Sequence, residues 1–275
     1  MYYLYDYHMH SNNSPDGHHS VMEMCQRAVE AGMEEIAITD HFEPVSGDKE
    51  FKYYSPQFYF FDVLKARAVF ADRLKIKLAV ELGQPQLYPE YSIKLINSYS
   101  YDFVLGSAHK LPGDIDMGML DYRNVDVRYY CKQYLRQLKH LAEWNQFDCI
   151  GHLDLPKRYS ANYGVKISLM DYQEDLEEVL AIIIKNKKGI EINTSGLRQK
   201  MGQCLPSLDI LKLYRKMGGQ IITVGSDAHC AEDIGKGIKE AIQMAEEAGF
   251  RYITTYNQRK PEWKKIGHRK IGYAI

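Results

Sequence analysis

Short apolar, β-rich runs alternate along the chain with longer stretches of helical spacing. Strands are expected at Leu4–His8, Ile36–Asp40, Ile76–Glu81, Phe103–Ser107, Cys149–His152, Ile190–Asn193 and Ile221–Gly225. The first helix, Val21–Ala31, opens at a capping box of Ser20 and Glu23 and stops at Gly32. Within Asp126–Trp144, residues Tyr130, Tyr134, Leu138, Leu141 and Trp144 recur at three-to-four spacing, the mark of one helix face. Further helices are expected over Leu169–Lys188, Ser207–Met217 and Ala231–Ala248, each followed by glycine.

Seven strand–helix alternations predict an α/β fold, a parallel sheet with helices outside. An open, doubly wound sheet gathers its ligands at one crevice. This sequence instead places polar residues after nearly every strand, as a barrel does. No long polar linker interrupts the pattern, so a single barrel domain over residues 1–275 is expected.

Composition narrows the function classes. Hydrophobic residues make up 45% of the chain and charged residues 26%, the balance of a globular protein with material for a core. No apolar run is long enough to span a membrane. The segment Met1–His10 lacks the charged-then-apolar pattern of a signal peptide, so a cytoplasmic location is expected. The five cysteines are scattered and form no CxxC pair, which argues against a disulfide framework or a thiolate zinc site. A net charge of −1 with no basic run does not favour nucleic acid as a partner. A small anionic molecule held by local groups fits better.

The chemistry collects at the strand ends. These read His8-Met9-His10, Thr39-Asp40-His41, Glu81, Gly106-Ser107-Ala108-His109, Gly151-His152-Leu153-Asp154 and Gly225-Ser226-Asp227-Ala228-His229. In a parallel barrel all of these converge on one rim. Six of the ten histidines sit there; His18, His19, His140 and His268 do not. Residues two apart on a strand face the same side, so His8 and His10 can reach one ion, as can Asp227 and His229. Imidazoles and carboxylates are the donor set of zinc, manganese or iron, and so many of them suggest two or three divalent ions. Asp16 lies in a Pro-Asp-Gly turn close to the first strand and is a further candidate carboxylate. Arg198 and, second, Arg158 are candidates to bind phosphate and assist catalysis, because guanidinium suits bidentate contact with it.

These motifs together resemble the polymerase-and-histidinol-phosphatase (PHP) superfamily, with no ligand position missing between residues 8 and 229. The resemblance implies a distorted TIM-like (β/α)7 barrel with a trinuclear site. It places His8, His10, Glu81 and Asp227 on one ion, Glu81, His109 and His152 on a second, and Asp16, His41 and His229 on the third. Within the superfamily the chain looks like the monofunctional histidinol-phosphate phosphatases. Glu191-Ile192-Asn193-Thr194-Ser195-Gly196-Leu197-Arg198 and Tyr252-Ile253-Thr254 with Arg259-Lys260-Pro261 carry that likeness. It implies a phosphoric monoester hydrolase that converts L-histidinol phosphate to L-histidinol and phosphate in histidine biosynthesis. The expected step is attack by a metal-bridging hydroxide, with no phosphoenzyme. Asp227 and His229 are candidates to protonate the leaving alkoxide, and Asp40 and Asp154 to orient ligand imidazoles. The rival functions are a related enzyme on nucleotides or oligonucleotide ends, and a barrel kept only for binding or metal storage. The aromatic run Phe51–Phe61 is read first as packing on the barrel, and otherwise as a wall around a flat ring of the substrate. His18 and His19 are read as loop residues outside the site. The segment Leu111–Asp126 follows His109 and could border the pocket or lie on the surface.

Overall fold

Apolar runs such as Ile36-Ala37-Ile38 and Val80-Glu81-Leu82 are buried on both faces, as strands must be when helices cover one side and a filled interior the other. The computed structural model describes residues 2–44 and 54–267. Seven parallel strands form the wall: β1 (Tyr5–Asp6), β2 (Glu35–Ile38), β3 (Lys75–Gly83), β4 (Phe103–Ser107), β5 (Cys149–Ile150), β6 (Gly189–Asn193) and β7 (Ile222–Gly225). They pair in chain order, with a short piece at His41–Phe42 also set against β3. The first and last strands meet. The Tyr7 N–H donates to the Val224 carbonyl at 2.8 Å, and the Asp227 N–H donates to the His8 carbonyl at 2.7 Å. The sheet is therefore a closed, distorted TIM-like barrel, and no open crevice is left for the doubly wound alternative.

Among the described residues, eight helices surround it: α1 (Val21–Glu30), α2 (Pro56–Phe70), α3 (Pro89–Ile96), α4 (Val127–Trp144), α5 (Pro156–Ser160), α6 (Gln173–Lys185), α7 (Leu208–Lys216) and α8 (Ile238–Glu247). The capping box at Ser20 and Glu23 is present. One expectation shifts. The helix expected over Ala231–Ala248 is a 3-10 turn at Ala231–Asp233 followed by α8, because Gly235 and Gly237 adopt left-handed backbone (φ 73° and 78°) between them. Helix α2 carries no periodic signal. It buries Tyr59, Val63, Ala66 and Phe70 yet exposes Phe58, Phe61, Leu64 and Val69, so it is apolar on every side. No helix among the described residues is long and apolar enough to cross a membrane.

The C-terminal segment forms an antiparallel hairpin, β8 (Tyr252–Asn257) with β9 (Lys260–Lys265), which seals the N-terminal end of the barrel. Tyr256 packs on Phe103 with ring centroids 5.0 Å apart, and Phe103 packs edge-on to Tyr7 at 5.2 Å. The Tyr256 N–H donates to the Tyr7 hydroxyl at 2.8 Å, and that hydroxyl donates to Glu35. In the hairpin turn, Arg259 grips the buried Asp148 through Nε and Nη2 at 2.9 and 3.0 Å. The floor is thus aromatic and held by charge at its rim, and among the described residues the opposite, C-terminal end stays open.

Phe103 is fully buried at the centre of this floor. Phe103→Ala is expected to lower the unfolding free energy by about 3–5 kcal/mol, read by urea denaturation. A loss below about 1 kcal/mol would mean that the hairpin aromatics do not form a packed floor.

Candidate metal centre

Strand geometry aims the site residues inward. His8 and His10 follow β1 two residues apart, and His41 lies beside Glu81, its register partner on β3. His109 and His152 follow β4 and β5, and Asp227 and His229 follow β7. Two of these residues, His152 (φ 27°) and Asp227 (φ 54°), hold left-handed backbone that side chains disfavour. Their surroundings enforce it. The His152 N–H donates to Glu191 at 2.8 Å, and the Asp227 N–H is tied to the His8 carbonyl. Strain kept in place this way clusters at functional sites.

All nine expected donors line or underlie one basin of about 270 Å³ at the open end of the barrel. At its base lies Glu81, fully buried. Its Oε2 is 3.0 Å from His41 Nδ1, 3.2 Å from His8 Nε2 and 3.5 Å from His10 Nε2. Its Oε1 is 3.0 Å from His152 Nε2 and 3.3 Å from His109 Nε2, and accepts from the Ser107 hydroxyl at 2.6 Å. The two oxygens of one carboxylate therefore face two different sets of imidazoles. Asp227 Oδ1 lies 3.5 Å from both His8 Nε2 and His10 Nε2. Asp16, half-exposed at the rim, lies 3.2 Å from His229 Nε2 and 3.6 Å from His41 Nε2. His41 thus belongs to two groups, facing Glu81 through Nδ1 and Asp16 through Nε2.

The arrangement fits several cations better than it fits none. His8 Nε2 and His10 Nε2 are 3.1 Å apart, and His109 Nε2 and His152 Nε2 are 3.3 Å apart. Two nitrogens on one tetrahedral ion, each at about 2.0–2.1 Å, would stand about 3.3 Å from each other. Four overlapping groups of three donors each converge within 4.8 Å: His8, His10 and Asp227; His8, Glu81 and His152; His41, Glu81 and His109; and His10, His41 and His229. The charges agree. Burial opposes the anion on Glu81, yet His8, His41 and His109 hold its carboxyl well below the ordinary range. Burial also opposes the anion on Asp227, and His8 and Arg158 likewise hold it well below. Burial, with His41 and His229 stacked at 4.1 and 4.3 Å, pushes His10 well below the usual imidazole range, so it stays neutral and offers a lone pair. Among the described residues, the buried Nδ1 of His152 has no hydrogen-bond partner.

Outer partners decide which ring nitrogen faces inward, and two of them are carboxylates that sequence reasoning passed over. Glu191 lies 2.6 Å from His8 Nδ1, and Glu43 lies 2.5 Å from His109 Nδ1. Each carboxylate can only accept, so each Nδ1 carries the proton and each Nε2 is free. His229 Nδ1 donates to the Asp227 carbonyl at 3.1 Å, with the same result. Glu191 stands on β6, two residues from Asn193 and so on the same face, a signal that its motif contained. Glu43 follows His41 by two, a similar signal in a looser segment. Asp40 acts less directly than expected. It accepts from Ser11 and Ser14, and Ser14 in turn accepts from the His41 N–H at 2.8 Å and lies 3.4 Å from His10 Nδ1. Asp154 does not orient an imidazole; it accepts from Lys157 at 2.7 Å and from the Ser207 N–H at 3.0 Å, and so anchors the start of α7.

The two arginines exchange rank. Arg158 lines the basin and donates through Nη2 to Asp227 at 2.8 Å and to Ser195 at 2.6 Å, while its buried Nε has no partner. Arg198 lies behind the β7 loop instead. Its Nη2 donates to the Ser226 carbonyl at 2.8 Å, and its Nε pairs with Asp233 at 3.2 Å. The excursion after His109 does border the site, through Lys110, Asp116 and, on the facing helix, Tyr159. Of the aromatic run, residues 51–53 lie outside the described residues. Tyr54 is buried against Phe42 and Tyr59 and meets Tyr101 hydroxyl to hydroxyl at 3.0 Å, so it packs on the wall and not over the basin. His18 and His19 stay outside the donor set and brace the β7 loop, through the His18 N–H on the His229 carbonyl and His19 Nδ1 on the Ala231 N–H.

A closed parallel barrel with a carboxylate-bridged polyhistidine basin at its C-terminal rim defines a metal-binding hydrolase-type scaffold. The profile of the PHP domain family matches residues 6–195, and the chain belongs to that family. Among its relatives, the histidinol-phosphatase of Lactococcus lactis subsp. lactis is 29% identical over 263 residues, covering 94% of this chain and 97% of the relative. A probable histidinol-phosphatase of Thermotoga maritima is 26% identical over 254 residues, covering 91% and 94%. The crystal structure of histidinol phosphate phosphatase from Lactococcus lactis, complexed with zinc, L-histidinol and phosphate, superposes with a TM-score of 0.83 at 28% identity, covering 94% of this chain and 98% of that one.

Glu81→Gln keeps the shape but removes the shared charge. It is expected to lower the number of ions retained per chain by at least one, read by elemental analysis after desalting. An unchanged ion count would contradict a shared carboxylate.

Proposed function

We propose that this chain hydrolyses L-histidinol phosphate to L-histidinol and inorganic phosphate, and that residues 1–275, hairpin included, act as one PHP-type unit. The observation that carries this reading is the Glu81-centred cluster, with Arg158 on the wall of the same basin. The relatives named for this activity, and the one solved with histidinol and phosphate, support the choice of substrate.

Hydrolysis of a phosphate monoester needs a nucleophile at neutral pH, neutralised phosphoryl oxygens and a proton for the leaving alkoxide. Bound divalent ions supply the first two, by acidifying water and polarising the phosphoryl group. His8, His10, Glu81 and Asp227, then Glu81, His109 and His152, then Asp16, His41 and His229 are the groups that would hold them. Zinc, manganese and iron all suit this donor set. Arg158 adds a permanent positive charge at the wall of the basin, where its guanidinium suits a phosphate oxygen. Arg198 supports the Ser226–Asp227 turn from behind. Asp227 has both oxygens engaged, with Arg158 and Ser195 on one and His8 and His10 on the other. It therefore orders the site and carries no proton. His229 has Nδ1 tied to the Asp227 carbonyl and Nε2 turned to Asp16, so it belongs to the donor set and has no proton to spare for the leaving oxygen. The basin and a net charge of −1 suit a small phosphate ester; a nucleic-acid end would need a basic track that the composition lacks.

Thorough chelation is expected to abolish phosphate release from histidinol phosphate, with recovery on adding Zn²⁺, Mn²⁺ or Fe²⁺. Activity that survives demetallation would rule the reading out. His229→Ala should slow histidinol phosphate and an activated aryl phosphate by similar factors, since it removes a donor that both substrates need. A loss confined to histidinol phosphate would remove His229 from that role. Arg158→Ala should raise KM for the phosphate ester more than Arg198→Ala does, and the reverse order would overturn the assignment.

A further inference from the structure

Glu43 has no part in the donor set, yet it stands at the wall of the basin. Its Oε1 accepts from His109 Nδ1 at 2.5 Å, and its Oε2 accepts from Gln84 Nε2 at 2.6 Å. Gln84 Oε1 in turn accepts from the backbone N–H groups of His109 and Lys110, at 3.3 and 3.1 Å. The ring and the main chain of His109 are thus fixed through one closed set of hydrogen bonds. Gln84 itself adopts left-handed backbone (φ 39°), a conformation that costs energy and persists here under the hold of its neighbours. A methyl group at Gly83 would lie 2.0 Å from Glu43 Oε1, so the absence of a side chain at 83 is what leaves room for the carboxylate.

We propose that Glu43 is a positioning residue: it fixes the His109 ring so that Nε2 meets Glu81 and His152, and Gly83 is the socket in which its carboxylate rests. This rests on the metal-centre reading above and assigns to one ion, the one between Glu81, His109 and His152, its own outer support. Glu191 plays the corresponding part for His8, on the other side of Glu81. Support of this kind acts on how tightly an ion is held, because a ring free to rotate or to change tautomer presents its lone pair less often.

The test reads metal retention, apart from turnover. Metal-loaded protein is titrated with a competing chelator, and ions per chain are counted by elemental analysis. Glu43→Gln should release one ion per chain at a chelator concentration about 10–100-fold lower than the parent protein, while the other ions follow the parent. Gly83→Ala keeps every donor and every carboxylate, and should reproduce that early release by displacing the end of the Glu43 side chain. Thermal melting checks that both variants are folded; should Gly83→Ala fail to fold, Glu43→Gln decides alone. Parent-like retention in Glu43→Gln, or full retention with only kcat lost, would overturn the proposal. A parent protein that takes up no ion at all would instead overturn the metal centre itself.

Discussion

Buried at the mouth of the barrel, the Glu81 carboxylate persists as an anion only through what surrounds it. Water does not reach it, and a lone charge in such a place would take up a proton. Five imidazoles of His8, His10, His41, His109 and His152 come within 3.5 Å of its two oxygens. Those rings cannot all be protonated side by side, as the neutral state of His10 between His41 and His229 illustrates. Lone pairs then face lone pairs, and cations resolve the conflict. The barrel's closure, the left-handed backbone at His152 and Asp227, and the outer carboxylates can all be understood as means of holding this crowded geometry.

Much of this was legible in the chain. Strand periodicity located β3, β4 and β6 closely, and the rule that parallel strand ends converge brought His8, His41, His109, His152 and His229 together from positions far apart. Imidazoles are rare enough in a sequence that their placement is itself information. Glu43 and Glu191 were only faintly legible as partners, since carboxylates are common and most are solvated. Only the fold shows that Gly83 and Gly225 leave room for them: a methyl group on either would meet a carboxylate oxygen within 2.4 Å. Helix α2 gave no periodic signal because it is apolar on both its buried and its exposed sides. The break before α8 was hidden because two left-handed glycines interrupt an otherwise helical composition.

The exchange of rank between Arg158 and Arg198 shows where sequence distance misleads. Both follow a strand end by a few residues, and guanidinium chemistry alone favours neither. The short helix α5 carries Arg158 over the basin, where it shares Asn193, Ser195 and Asp227 in one hydrogen-bonded group. Arg198 ends a 3-10 turn whose path runs behind β7, so its charge meets main-chain carbonyls and Asp233. Arg158 lines the basin and Arg198 holds the Ser226 carbonyl in the turn before Asp227, and the two placements differ by where the backbone leads.

The aromatic floor has a consequence for biogenesis. Tyr7 directly follows the first strand, and its hydroxyl and ring complete their contacts only with Tyr256, almost 250 residues later. Until that late segment has emerged, the end of the barrel that it covers keeps apolar side chains such as Phe103 open to water. Chaperone capture during synthesis would be drawn to this end of the molecule, well away from the rim that handles substrate.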